Sequence, residues 1–216
     1  MKSQLKTIYN LLHREFGPQH WWPGEKAFEV MVGAILTQNT NWGNVEKAIN
    51  NLKAHNLLSV KKMYETNPNT LADLIRPAGY FRVKTKRLRN FLKFYLDEFQ
   101  GQVAKMQLQE LADLRPKILA VNGIGPETAD SMLLYALEKP IFVVDAYTKR
   151  ILSRHNLLSE EATYNEIQEL FMDNLENDVQ FFNEYHALLV KCGKQYCRPK
   201  NPRCELCPLN TLFSGA

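Results

Sequence analysis

Val121-Asn122-Gly123-Ile124-Gly125-Pro126-Glu127-Thr128-Ala129 is the stretch whose reading decides the fold. Two glycines flank one aliphatic residue between segments of helical pattern, which makes a tight helix-hairpin-helix turn. Glycine has no Cβ, so it can take a positive φ and let another backbone come close. The amides around Gly123 and Gly125 are then placed to meet a phosphate oxygen. Such a turn grips nucleic acid without reading its sequence. Pro126 stands at a first helical position, where its missing N–H costs nothing, and Ala129, Met132, Leu133 and Ala136 recur behind it at helical spacing. The same residues also suit a packed αα-hairpin with no ligand. The lone carboxylate of Val143-Val144-Asp145-Ala146-Tyr147, eighteen residues after Glu127, shifts the balance toward chemistry.

Outward from the hairpin the pattern stays helical. Phe28 to Leu36, Val45 to Leu52, Leu71 to Ile75, Leu88 to Leu96, Ile118 to Val121, Ala129 to Leu137, Ile167 to Leu175 and Tyr185 to Val190 each space their apolar residues for one buried helix face. No alternating strand is found, so the chain reads as all-α. Pro23-Gly24, Asn67-Pro68, Pro77-Ala78-Gly79, Arg115-Pro116 and Gly123 punctuate it into short helices. With 216 residues, 45% of them hydrophobic, there is enough apolar material for a real core in one domain or two small ones. The first helix interleaves Leu5, Ile8 and Leu12 with Lys2, Lys6, His13 and Arg14, an amphipathic pattern. Neither a signal peptide nor an apolar run of about 20 residues appears, so a cytoplasmic, nucleoid-associated location is expected.

The net charge of +4 supports nucleic-acid binding only weakly. Its distribution says more: Arg76, Arg82, Lys84, Lys86, Arg87, Arg89 and Lys93 fall in one stretch that contains no acid. A cluster of this kind attracts a polyanion, or else is a solvated helix face. Five histidines, His13, His20, His55, His155 and His186, show no metal-ligand spacing and carry no assigned chemistry.

All four cysteines lie near the end of the chain, Cys192, Cys197, Cys204 and Cys207, as C-x4-C-x6-C-x2-C. In a chain without a secretory leader such a group points to a metal rather than to disulfides. From spacing alone zinc is the default.

The hairpin and the carboxylate at its interval resemble the helix-hairpin-helix DNA glycosylases of the endonuclease III superfamily. Leu36-Thr37-Gln38-Asn39-Thr40 resembles that family's early-helix segment, Gly79-Tyr80 through Lys86 its middle turn, and the late cysteines its iron-sulfur segment. Together these cover about residues 20 to 210. The resemblance implies a two-lobed all-α fold with the active cleft between the lobes. One lobe is a six-helix domain over 24–139 that ends in the hairpin; the other is discontinuous, 1–23 with 140–216, and carries the cysteines. It implies a monomer acting in base excision repair on double-stranded DNA that contains damaged bases.

Asp145 is then the catalytic residue. Breaking an N-glycosidic bond develops positive charge on the sugar, which a fixed carboxylate stabilises, and the same group can orient the attacking water. Asp145 also suits the N-cap of a helix from Ala146 through Leu152, and the two roles are compatible. Gln38 would fill the gap left by the extruded nucleotide, its amide bonding the orphaned base. Family members that also nick the backbone carry a lysine two residues after the second glycine; here stands Glu127, which cannot form a Schiff base, so a monofunctional enzyme is expected. Glu127 either faces the base pocket or simply favours the helix N-terminus.

The Trp21-Trp22-Pro23 segment, with Trp42 two residues after Thr40, resembles the 3-methyladenine DNA glycosylase III group of this superfamily. That maps the base pocket onto Trp21, Trp22, Pro23 and Trp42, indole faces suited to cationic alkylated purines such as 3-methyladenine and 7-methylguanine. The last three cysteines match the superfamily's iron-sulfur pattern, but Phe213 takes the fourth position. The expectation is a 4Fe-4S cluster with Cys192 recruited as its fourth ligand, zinc or no metal being the alternatives. Arg198, Lys200 and Arg203 in that loop would meet phosphates. Two competing readings remain: an endonuclease III-like enzyme with lyase activity on oxidised pyrimidines, and a non-catalytic hairpin DNA-binding protein.

Overall fold

The computed structural model describes residues 1–21 and 24–213, and these form two compact units. In chain order the α-helices are α1 (Lys2–Phe16), α2 (Ala27–Leu36), α3 (Trp42–Ala54), α4 (Val60–Glu65), α5 (Pro68–Leu74), α6 (Phe81–Phe99), α7 (Val103–Gln107), α8 (Leu111–Leu119), α9 (Pro126–Ser131), α10 (Ala146–Arg154), α11 (Tyr164–Met172) and α12 (Val179–Gln195). No strand occurs among the described residues. None of the helices is long and apolar enough to cross a membrane.

The first unit joins Met1–Trp21 to Pro140–Ala216. Here α12 packs against both α1 and α10. Leu5, Ile8 and Leu12 of α1 are fully buried together with Phe142, Phe171, Phe182, Tyr185 and Leu188. Tyr185 donates its hydroxyl to Leu5 O at 2.8 Å, and burial holds its pKa well above the ordinary phenol value. The rings of Phe142 and Phe171 stack 3.7 Å apart. Where α10 meets α12, Tyr147 lies across Gly193 so closely that a Cβ at Gly193 would overlap the ring. That contact fixes the first turn of α10 on α12.

The second unit spans Trp22–Lys139. Six helices were expected in this half; the described residues form eight α-helical segments, a 3-10 turn at Arg76–Ala78 and a π turn at Met132–Ala136. The excess comes from short pieces such as α4 and α7, six and five residues long. Met31, Val32, Ile35 and Leu36 of α2, Leu88, Phe91 and Leu92 of α6, and Leu133 make its core. Two of its helices open on side-chain caps: Asn41 accepts from Asn44 N at the start of α3, and Asn67 accepts from Asn69 N ahead of Pro68 in α5.

Two local expectations are corrected. Pro116 does not separate helices but lies inside α8. It sits on an exposed face beside exposed Ala112, whose carbonyl loses its helical partner where water can replace it. The helix expected to run from Ala129 to Leu137 widens instead into the π turn, where Leu137 N bonds Met132 O five residues back.

Candidate active site

Asp145 ends a non-helical run, Ile141 to Val144, that is buried throughout. Buried backbone needs hydrogen-bond partners, and α11 provides them from side chains. Gln168 donates to Phe142 O at 2.6 Å, Phe142 N donates to Met172 Sδ at 3.3 Å, and Val144 N donates to the Tyr164 hydroxyl at 3.3 Å. The chain therefore arrives at residue 145 already fixed. Asp145 is the N-cap of α10: its Oδ1 accepts from Thr148 N at 2.8 Å and from Thr148 Oγ1 at 3.0 Å. Its other oxygen, Oδ2, lies 3.5 Å from Nε2 of His186 on α12.

This carboxylate is 12% exposed and the imidazole 5%. Burial alone would push the Asp145 pKa up. The His186 ring and the two Thr148 bonds outweigh it, and the carboxyl stays below its ordinary value, ionised at neutral pH. His186 was among the histidines given no chemistry. It stands against Phe142 edge-on, and its ring centroid is 5.6 Å from that of Trp21. The first unit thus places Trp21 beside His186, and His186 beside Asp145. Trp22 and Pro23 lie outside the described residues.

In the second unit the hairpin is built as expected at one glycine and differently at the other. Gly123 takes φ +96°, and a Cβ there would overlap the Cγ of Arg87. Gly125 is extended, φ −93° and ψ 175°, because it is the N-cap of α9, with Pro126 following in the first turn. Nothing lies within 4 Å of a Cβ built on Gly125. A buried ion pair braces the hairpin: Arg115 on α8 donates to both oxygens of Asp130 on α9, at 2.7 and 3.0 Å. Glu127 is exposed in the first turn of α9.

Gln38 is bound to the hairpin. Its Nε2 donates to Gly123 O at 3.1 Å and Thr128 Oγ1 at 3.0 Å, while its Oε1 accepts from Arg87. Trp42, 39% exposed, opens α3 and lays its indole over Gly33 of α2, where a Cβ would be 3.4 Å from the ring.

The run of seven cations is only partly a solvated surface. Arg76, Arg82, Lys86 and Lys93 are exposed, and of these Arg76 pairs with Asp73 and Lys93 with Asp97. Arg87 holds Gln38, and Arg89 donates to Tyr64 O and Thr66 O. Lys84 is buried, donating to Leu36 O at 2.8 Å and Ala78 O at 2.7 Å, with its pKa lowered to about 8 by burial and then by Arg87. Three of the seven therefore tie the unit together.

The four cysteines line one cavity of ≈ 70 Å³ with Arg154, His155 and Tyr196. Cys192, Cys197 and Cys207 are buried and Cys204 is exposed. Cys192 Sγ lies 3.9 Å from Cys207 Sγ, and that thiol bond is the main reason Cys207 falls to about 7 while Cys192 is pushed up. Arg154 donates to Cys197 Sγ at 3.3 Å, and Arg150 to Cys197 O at 2.7 Å. Among the described residues no three His, Cys, Asp or Glu side chains converge as a ligand set for a single metal ion. Four thiols around one cavity, one of them readily ionised, nevertheless fit a group whose thiolate ligands stand apart at its corners. Burial lowers the pKa of His155, another cavity residue not singled out in the sequence. Arg198, Lys200 and Arg203 are all exposed.

Residues 32–177 match the model of the HhH-GPD superfamily of base excision DNA repair proteins. A Methanocaldococcus jannaschii protein, provisionally named a DNA repair glycosylase, is 49% identical over 96% of this chain and 94% of its own length. The crystal structure of the H. pylori 3-methyladenine DNA glycosylase bound to 1,N6-ethenoadenine is 31% identical, covering 90% of this chain and 97% of that one, with a TM-score of 0.76. An endonuclease III trapped as a covalent intermediate with DNA shares the fold at a TM-score of 0.84, with 19% identity over 98% of this chain and 95% of that one.

Proposed function

Because the chain belongs to the HhH-GPD superfamily of base excision DNA repair proteins, and is thus a DNA glycosylase, we propose that it is monofunctional and excises alkylated purines, 3-methyladenine and 7-methylguanine, from duplex DNA. The observation that carries this reading is Asp145: a carboxylate almost wholly buried, yet kept ionised by partners in its own unit. A fixed negative charge in a site that excludes water stabilises the oxocarbenium-like sugar as the base departs, and then orients water toward C1′. An alkylated purine leaves with its positive charge neutralised, so it needs little acid assistance.

Trp21, Trp22, Pro23 and Trp42 form the stacking surfaces for the flipped base. Support comes from the half-buried Trp21 beside the Asp145–His186 pair, from the exposed indole of Trp42, and from the H. pylori enzyme, whose ligand is a modified adenine. Glu127 at the hairpin supports a hydrolytic enzyme without lyase activity, since a carboxylate cannot form an imine with C1′. Gly123, Gly125 and the exposed Arg198, Lys200 and Arg203 meet phosphates. Gln38 acts as the wedge, leaving its bonds to Gly123 and Thr128 when the nucleotide is extruded. Cys192, Cys197, Cys204 and Cys207 would hold a 4Fe-4S cluster, which when bound supplies a rigid anchor for the loop rather than electron transfer. The enzyme works as a monomer in the cytoplasm.

Release of labelled bases from methylated duplex DNA tests the proposal. Free 3-methyladenine or 7-methylguanine, intact strands and loss of release in Asp145→Asn are expected. Strand nicking with borohydride trapping on oxidised pyrimidines would replace it with a lyase reading, and DNA binding without release by either substrate would leave a non-catalytic binder.

A further inference from the structure

Oδ1 of Asp145 takes both hydrogen bonds from Thr148. A carboxylate held at one oxygen can still turn about its last side-chain torsion, whose energy profile is broad. The only ion-pair partner of Asp145 among the described residues is His186, which approaches the other oxygen. We propose that His186 is a positioning residue: its Nε2–H, directed at Oδ2, locks the rotation of the Asp145 carboxylate and so sets the direction in which that charge meets the sugar. This rests on the glycosylase reading of Asp145.

Several observations converge on it. His186 is buried on a helix that α10 itself packs against, so its place relative to the N-cap is fixed by the fold. Phe142 meets the ring at 87° and Trp21 lies against it at 35°, which leaves it little room to turn. The phenol next to it in sequence is committed elsewhere, Tyr185 donating to Leu5 O. At 3.5 Å the contact is long for a hydrogen bond, as catalytic contacts commonly are until substrate is bound. An Nε2–H donor orients the carboxylate whichever charge the ring carries, provided that nitrogen bears the proton.

His186→Leu and His186→Gln, whose amide reaches the position of Nε2, test the inference with two readouts. The carboxyl ¹³C titration of Asp145 reports the contact in the protein alone, and single-turnover base release beside DNA affinity reports its use. In the Leu variant the titration midpoint should rise by about one unit, a tenfold change in proton affinity. Single-turnover release should fall about tenfold while the Kd for DNA stays unchanged, and Gln should restore most of both. An unchanged midpoint or an unchanged rate in the Leu variant overturns the proposal, as does a Gln variant as impaired as Leu, which would mean packing alone. If Leu does not fold, His186→Asn, too short to reach Oδ2, takes its place with the same expectations. Should the wild type release neither methylated base, the substrate proposal fails, and the ¹³C titration still decides whether His186 holds Asp145.

Discussion

Two buried charges, one chosen from each unit, are treated in opposite ways. Asp145 in the first unit is surrounded by groups that favour its ionised form: two donors from Thr148 and the ring of His186. Lys84 in the second has only backbone carbonyls as partners, and the nearby Arg87 repels it, so its pKa falls to about 8. Burial pushes both toward neutrality, but only Asp145 has partners that overcome it. The difference separates a charge kept for use from a charge kept as a staple. Lys84 joins the end of α2 to the 3-10 turn at Arg76–Ala78, just ahead of the segment carrying Gln38.

The largest expected effect breaks the first side of that contrast. Asparagine at 145 can still cap α10 but carries no charge, so Asp145→Asn should lower base release about 10²- to 10³-fold with DNA affinity retained. Loss of binding along with release, measured by titration against a methylated duplex, would show the residue to be structural. The same variant tests the electrostatics. The Asp145 pKa is lower folded than unfolded, so its contribution is full above the ordinary carboxylate value and is lost as pH falls through the folded one. Acid unfolding of Asp145→Asn should therefore be shallower than that of the wild type.

Next in size is a pair of substitutions in the hairpin. Gly123→Ala must accept both a positive φ and an overlap with Arg87, and should lose roughly 2 kcal/mol of stability. Gly125→Ala meets no neighbour and has an extended backbone, so its loss of stability should be limited to the poorer cap, about 1 kcal/mol or less, while DNA affinity drops. Urea denaturation together with binding to undamaged duplex checks both. Equal stability losses would mean that both glycines serve folding alone.

How much of this was legible in the chain depends on the distance a contact spans. The hairpin, Pro126 in the first turn and the cap at Asp145 are local, each set by residues within four positions, and their patterns were readable. His186 is 41 residues from Asp145 in sequence and meets it only because α12 packs on α10. A signal did exist, a histidine between Tyr185 and Leu188–Leu189 on the buried stripe of a helix, but the stripe does not say what lies opposite. Lys84 offered a similar clue, lying four residues before Leu88 and seven before Phe91, on the core face of α6. Reading the seven cations as one charge run hid that periodicity. Gly125 is extended because a glycine preceding a helix can serve as its cap.

The smallest effect sharpens the second side of the contrast. A lysine whose pKa is about 8 folded and 10.5 unfolded binds its proton less tightly in the native state. Between those values the unfolded chain holds more protons, so raising the pH favours folding. For this shift the gain amounts to about 1 kcal/mol between roughly pH 7.5 and pH 9. Lys84→Met removes the titration and leaves Leu36 O and Ala78 O without their donor. It should be less stable than the wild type near neutrality, and the gap should widen by that amount as pH rises. Urea unfolding of both proteins across this range measures it. A gap independent of pH would mean that water reaches the ammonium, and that Lys84 is not a buried charge in the sense that Asp145 is.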